Sequence, residues 1–381
     1  MANILNIFNQ FPKDYNLTIL QTFFAKPFKQ ENGKWTKPSL SLVAKDNNTG
    51  KKHVCEIEDP EYIWFVAKEP DKLTHHYDFL PKNELEAIQC PNRELEKCIA
   101  QTTGNMKFFT NNIANGEYRE NAKLHTLNQV FFSDQNIEDH YRFWFNRLFK
   151  NDIQSVTKAY LDIEVDISDI AGDFPEPGEA PVNAVTYINN GVINTYILRD
   201  PRNPLVQEFE NQVASGQIER ELRELIKFAI GDEERQRKFN IYGYKFNVKF
   251  FDQEIQLLGS LFRQINTEEP DFLLAWNMAF DIPYIIQRIR NLGYRPESIM
   301  CHQDFKINPR AEYFIDTRME NNYAERGDYA YISSYTVYLD QMIQFASRRK
   351  GQSAFASFKL NDIGAQICGV QKLNYHHITT D

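Results

Sequence analysis

No stretch of this 381-residue chain is apolar over the ~18 residues that a membrane-spanning helix needs, and Met1 to Gln10 lacks a basic start followed by a long apolar run. A soluble, cytoplasmic protein is the expectation. Cysteine is scarce. The five residues, Cys55, Cys90, Cys98, Cys301 and Cys368, are odd in number and lack the close spacing of a zinc knuckle or redox pair, so reduced thiols are expected. Surplus positive charge is missing too: a net charge of −9 argues against coating duplex DNA through overall charge, while a local basic groove for nucleic acid stays open. There is no internal repeat and no low-complexity tract.

What the chain has in abundance is aromatic side chains, 29 Phe and 19 Tyr, within a 42% hydrophobic composition. Most of these must be core, with a remainder able to stack on unpaired bases. The length suits two or three domains. From Leu17 to about Val66, alternating segments broken at Glu31–Lys34 and Asn47–Gly50 read as β-hairpins. Glu84 to Ala100 carries Leu85, Ile88, Leu95 and Ile99 near helical spacing, and Glu138 to Phe149 reads as an aromatic-rich helix or an extended turn. A mixed α+β N-terminal domain over residues 1–156 is expected.

The stretch Lys158-Ala159-Tyr160-Leu161-Asp162-Ile163-Glu164-Val165-Asp166 sets acids where an apolar strand would be expected. With a two-residue period, Ala159, Leu161, Ile163 and Val165 face one way and Asp162, Glu164 and Asp166 the other. Carboxylates so crowded repel, and a strand tolerates them where water or a bound cation neutralises them, so the economical reading is a Mg²⁺-binding strand. Val182–Ile188 and Val192–Leu198 follow as strands joined at Asn190-Gly191, a pair suited to a tight hairpin turn. Pro204 to about Lys238 reads as a charged, mostly helical insertion. Tyr244–Phe251 reads as a strand, Asp252 as the cap of a helix through Ile265, Phe272–Trp276 as a short strand, and Ile282–Leu292 as a helix. Three antiparallel strands followed by strand and helix alternation give a ribonuclease-H-like α/β domain over residues 157–381, with its first strand central.

Asp281 stands at the start of a helix after the apolar run Leu274–Trp276; helix capping alone would explain it, but not Asn277, Phe280 or the acidic strand. Asp162-Ile163-Glu164 and Asn277-x-x-Phe280-Asp281 resemble the first two exonuclease motifs of the DnaQ-like 3′→5′ exonucleases. The wider chain resembles the exonuclease part of a phage-type family B DNA polymerase. Asn136–Phe149 resembles the segment leading into that domain. Phe358–Ile363 and Lys372–Tyr375 resemble the region between its second and third motifs. The spacing from Asn277 to Phe280 is one residue shorter than usual for family B.

The resemblance implies proofreading: removal of mispaired 3′-terminal nucleotides by hydrolysis with two Mg²⁺, for which Mn²⁺ can substitute. Asp162, Glu164 and Asp281 would be the catalytic, metal-binding acids. Asn277 and Phe280 would face a frayed, single-stranded 3′ end of DNA. Polymerase motifs resembling Ser-Leu-Tyr-Pro and Tyr-x-Asp-Thr-Asp are absent, and the Tyr-x-x-x-Asp of a third exonuclease motif does not follow Tyr375. A second polymerase chain supplying that motif, docking near Ile363, Ile367 and Val370, is therefore expected. Rival expectations are a fragment that binds nucleic acid or a partner without cutting, and an independent DnaQ-like nuclease using His376 and Asp381. Asp340 lacks the spacing of the third motif and should start a helix. His75-His76 and Arg348-Arg349-Lys350 read as surface groups.

Overall fold

The computed structural model describes residues 8, 11, 16–27, 29, 33–73, 82–110, 118–153, 155–168, 170, 175–203, 205–231, 234, 243–319, 322–349 and 357–371. The chain divides into two compact units, Met1–Ser155 with Asp304–Asn308, and Val156–Gln303 with Pro309–Asp381.

The first unit is β-rich. Strands β1 (Leu17–Ala25), β2 (Ser39–Asp46) and β3 (Lys52–Glu58) pair antiparallel in that order. Strands β4 (Glu61–Ala67) and β5 (Leu85–Pro91) pair along their whole length, from Glu61↔Pro91 to Ala67↔Leu85. Glu84 to Ala100 is thus not one helix: a strand comes first and α1 (Leu95–Thr102) begins after Pro91. Pairing with β4 outweighs the helical spacing of Leu85 and Ile88, and a proline disfavours helix at the residue before it. After α2 (Tyr118–His125), β6 (Val130–Phe131) joins the other edge of β4. The expected aromatic helix is α3 (Ile137–Leu148), capped by the Asn136 side chain on the Asp139 N–H. Its Ile137, Tyr141, Trp144 and Phe145 enter a core with Phe8, Tyr62 and Trp64, where much of the aromatic excess is spent.

The second unit is built on one six-stranded sheet. The acidic strand is β7 (Lys158–Val165), followed by β8 (Val182–Asn189) and β9 (Val192–Leu198) in antiparallel succession. The hairpin between β8 and β9 turns at Asn190 and Gly191, with φ of 48° and 75°, a turn that asks for residues able to sit at positive φ. Helices α4 (Val206–Ala214) and α5 (Gln217–Ile230) form the charged insertion. The chain then adds β10 (Lys245–Phe251), parallel to β9 at the sheet edge, and α6 (Glu254–Glu268). Asp252 does not cap α6; Gln253 holds that position without a side-chain cap, and Asp252 instead accepts from Arg199 at 2.8 Å.

Beyond α6 come β11 (Phe272–Ala275), α7 (Met278–Asn291) and α8 (Pro296–Met300). A hairpin of β12 (Ala311–Phe314) and β13 (Tyr329–Ile332) precedes β14 (Val337–Asp340) and α9 (Gln341–Arg348). The chain ends its described course in α10 (Leu360–Ile363) and a π-turn over Gly364–Cys368. Sheet order is β10-β9-β8-β7-β11-β14, with β11 parallel to both β7 and β14. The acidic strand is central, as the ribonuclease-H-like order requires. Residues Ala159, Leu161 and Ile163 pack against Leu258, Phe262, Ile282 and Ile285 of α6 and α7. Of the three residues expected at an apolar face, Ile363 is buried, Val370 is half-buried and Ile367 is exposed.

Candidate active site

β7 alternates without interruption, so its core-facing residues force Lys158, Tyr160, Asp162 and Glu164 onto the opposite, exposed side. The strand's start is fixed by a reciprocal pair of bonds. Buried Asp271 accepts from the Thr157 N–H at 2.8 Å, and the Asp271 N–H donates to Thr157 Oγ1 at 2.8 Å, setting β11 in register beside β7. Pairing between them reaches Tyr160. From there β7 runs on toward Asp162 while the chain leaves β11 for α7.

Asn277 makes that exit with a φ of 65°, a left-handed conformation that Asn adopts at lower cost than most residues. It gives Asn277 a backbone role that spacing alone did not reveal. Asn277 also occupies the N-cap position of α7, so Asp281 lies inside the first turn and capping does not explain it. Asp281 is 4% exposed. Burial first, and then neighbouring Asp162, push its carboxyl up to about 8; hydrogen bonds from backbone, including that of Ile163, oppose the rise, and Asp340 adds to it.

The fold thus joins two of the predicted acids, one from the strand and one from the helix. Glu164 stands two residues further along the same strand face, in the wall of a cleft of about 710 Å³ bordered also by Asn183, Leu198, Phe209 and Phe250. The ladder shifts there, from Glu164↔Ala184 to Val165↔Val182, leaving Asn183 as a bulge whose Oδ1 makes no hydrogen bond. Among the described residues no three His, Cys, Asp or Glu side chains come together as a ready metal cage. The Asp162–Asp281 pair nonetheless fits a hard divalent cation. It offers carboxylate oxygens only, and one member is out of water beside a like charge, a state that a cation relieves.

Phe280 is half-buried, with its ring 5.2 Å from that of Tyr284 and packed on the core. Tyr284, one turn on, accepts from the Ala180 N–H and donates to the Ala180 C=O, both at 2.9 Å. Arg288 grips buried Glu254 with two nitrogens at 2.8–2.9 Å, and Glu254 also accepts from the Val182 N–H at 2.8 Å. Arg288 further donates to the Gly178 C=O at 3.2 Å. The segment that follows the acidic strand is thereby fastened to α7. Gly178 has a φ of 77°, and a Cβ there would lie 2.9 Å from the backbone of Gln287 and Arg288.

Asp340 starts α9 as expected, its Oδ1 accepting from Met342 and Ile343 N–H at 2.9 and 3.0 Å. What the sequence did not show is its neighbourhood. Asp340 closes β14 opposite Ala275, acts on Asp281, and is itself raised by burial while the Ala279 N–H and Arg326 counteract. The signal in the sequence was an acid ending a short strand, indistinguishable from an ordinary cap. Arg348 is exposed and Arg349 lies over the Phe345 ring at 4.0 Å. His75, His76, Lys350, Lys372–Tyr375, His376 and Asp381 lie outside the described residues.

The family model of the DNA polymerase family B exonuclease domain matches residues 126–363, a span holding Asp162, Glu164, Asn277, Phe280 and Asp281. The chain belongs to that family. The match begins before α3, in keeping with the resemblance of Asn136–Phe149 to the lead-in of this exonuclease domain, and closes with α10. A comparison with curated proteins found no match. Family membership makes the chain part of a nuclease and supports a 3′→5′ proofreading role. Among the described residues no helix is long and apolar enough to cross a membrane.

Proposed function

We propose that the chain removes mispaired nucleotides from single-stranded or frayed 3′ ends of DNA by metal-assisted hydrolysis, with Asp162, Glu164 and Asp281 as its catalytic acids. The observation that carries this reading is the strand acid and the helix acid meeting at the end of β7, inside the matched exonuclease span. Divalent ions, Mg²⁺ or in its place Mn²⁺, would supply charge stabilisation for the leaving 3′ oxygen and an acidified water as nucleophile. Asp162 and Asp281 would hold the ion between them. Glu164, exposed on the same strand face, would orient the attacking water and complete a second ion site. Asn277 and Phe280, at the entry to α7, would face the terminal nucleotides. Selection of mismatches needs no base reading, since an unpaired end separates from its complement at lower cost.

A second reading is favoured by the lack of a three-carboxylate group among the described residues. In it the chain binds the single strand and cuts slowly until a Tyr-x-x-x-Asp helix from a second polymerase polypeptide adds the remaining carboxylate. A 5′-labelled oligonucleotide with a matched or mismatched 3′ terminus separates the two. Shortening from the 3′ end that is faster on the mismatch and lost in Asp162→Asn supports catalysis by this chain. Binding without shortening, rescued by a polymerase chain bearing the third motif but not by its Asp→Ala form, supports the second reading. Shortening that survives loss of Asp162, Glu164 and Asp281 overturns both.

A further inference from the structure

Asp340 ends β14 directly opposite Ala275, the last residue of β11, and two residues later the chain passes through the left-handed Asn277 into α7. Its side chain is 6% exposed. One oxygen, Oδ1, is spent on the first turn of α9, accepting from Met342 and Ile343. The other, Oδ2, is buried with no hydrogen-bond partner, and the Ala279 N–H in the first turn of α7 is the further backbone donor that favours the charged form of this carboxyl. An ordinary helix cap needs neither this burial nor a second helix N-terminus. Arg326, whose guanidinium pairs with buried Asp328, also favours the charged form of Asp340, against the burial that raises its carboxyl. The carboxylate therefore caps α9 and lies beside the start of α7, and only α7 carries an acid of the site.

We propose that Asp340 is a positioning residue of the exonuclease centre: its buried carboxylate at the end of β14 draws on the N–H groups of the first turn of α7 and so steadies Asp281 beside Asp162. The inference rests on the functional reading above. It assigns Asp340 no contact with substrate or metal. A group of this kind acts as an outer-shell partner does, and loss of such a partner weakens metal binding about 10- to 100-fold.

Asp340→Asn separates the two duties, because its amide oxygen still caps α9 whereas its NH₂ group presents hydrogens to the Ala279 N–H and Arg326. Asp340→Ser is the second variant, since it caps α9 and leaves no oxygen for α7. On the full chain, hydrogen–deuterium exchange of the segment 276–285 is measured without metal, and Mn²⁺ affinity by calorimetry. Both variants should melt close to wild type, exchange faster across 276–285 while 341–348 stays protected, and bind Mn²⁺ about 10- to 100-fold more weakly. Wild-type exchange and wild-type Mn²⁺ affinity in the folded variants would overturn the proposal. So would exchange that rises equally over 341–348, which marks a simple cap. Asp281→Asn is the control on the functional reading. If it binds Mn²⁺ as wild type does, that reading fails, and the metal-free exchange still decides what Asp340 holds.

Discussion

Replacing Asp281 by Asn should make the metal-free protein more stable, by an amount that depends on pH. The carboxyl is pushed from 3.8 to about 8, chiefly by burial and then by Asp162. In the unfolded chain it releases its proton near 3.8, whereas the folded protein keeps that proton until about pH 8. Between these values the folded state binds more protons, so stability falls as pH rises, and the loss is complete above the folded pKa. At ~1.4 kcal/mol per pKa unit the whole shift corresponds to on the order of 5 kcal/mol, an upper bound because water and side chains relax around the ionised acid. Asn carries no such proton and can still accept from the Ile163 backbone. Urea unfolding in chelator, read by circular dichroism from pH 4.5 to 9, should therefore show the two proteins nearly equal at the acid end and Asp281→Asn ahead by a few kcal/mol at the alkaline end. Adding Mg²⁺ or Mn²⁺ should shrink or invert that lead, because a cation bound only by the folded wild type stabilises it by mass action. A difference that does not vary with pH, or an Asp281→Asn protein less stable at pH 9, would show that Asp281 is not a strained acid beside a like charge.

Asp162→Asn should draw the Asp281 carboxyl down from about 8 toward the usual range, as followed by carboxyl ¹³C chemical shift; an unmoved titration would place the two acids apart. Arg288→Met leaves Glu254 buried without its bidentate partner and should cost about 3–5 kcal/mol in urea unfolding, with much of the loss recovered when Glu254→Gln is added. Gly178→Ala forces a side chain into a left-handed conformation against the α7 backbone; a loss of at least about 1–3 kcal/mol is expected, together with slower exonuclease turnover if the fastening of α7 matters to the site.

The central sheet was legible because its signals are local. Two-residue alternation placed β7, β8 and β9, Asn190-Gly191 placed the turn, and the apolar run before Asp281 placed β11 and α7. The acid pair was legible because two short motifs fall at the ends of adjacent parallel strands. What was hidden depends on distant partners. Leu85–Pro91 became a strand through pairing with β4, and the β12–β13 hairpin exists through its cross-strand register, neither of which has a strong local period. Asp252 looked like a cap until Arg199 is seen to engage it. Asp340 looked like only a cap, since nothing in its own stretch announces that β11 ends beside it.

Once Asp281 is ionised, the acids at the end of β7 repel, and left alone the start of α7 would drift away from the strand to relieve them. Three sets of bonds oppose that drift from different sides. Asp271 and Thr157 lock the beginnings of β7 and β11 together. Tyr284, Arg288 and Glu254 fasten the body of α7 to Ala180, Gly178 and Val182. Asp340 bears on the first turn itself. Each buried or charge-assisted bond of this kind contributes about 1–3 kcal/mol, so together they are of the size needed to hold a repulsion of a few kcal/mol. Rigid fastening lets the repulsion add to the burial that raises the Asp281 carboxyl, rather than part α7 from β7. It also leaves a cation as the economical way to lower the energy of the folded state, which couples metal affinity to the same bonds that fix the fold.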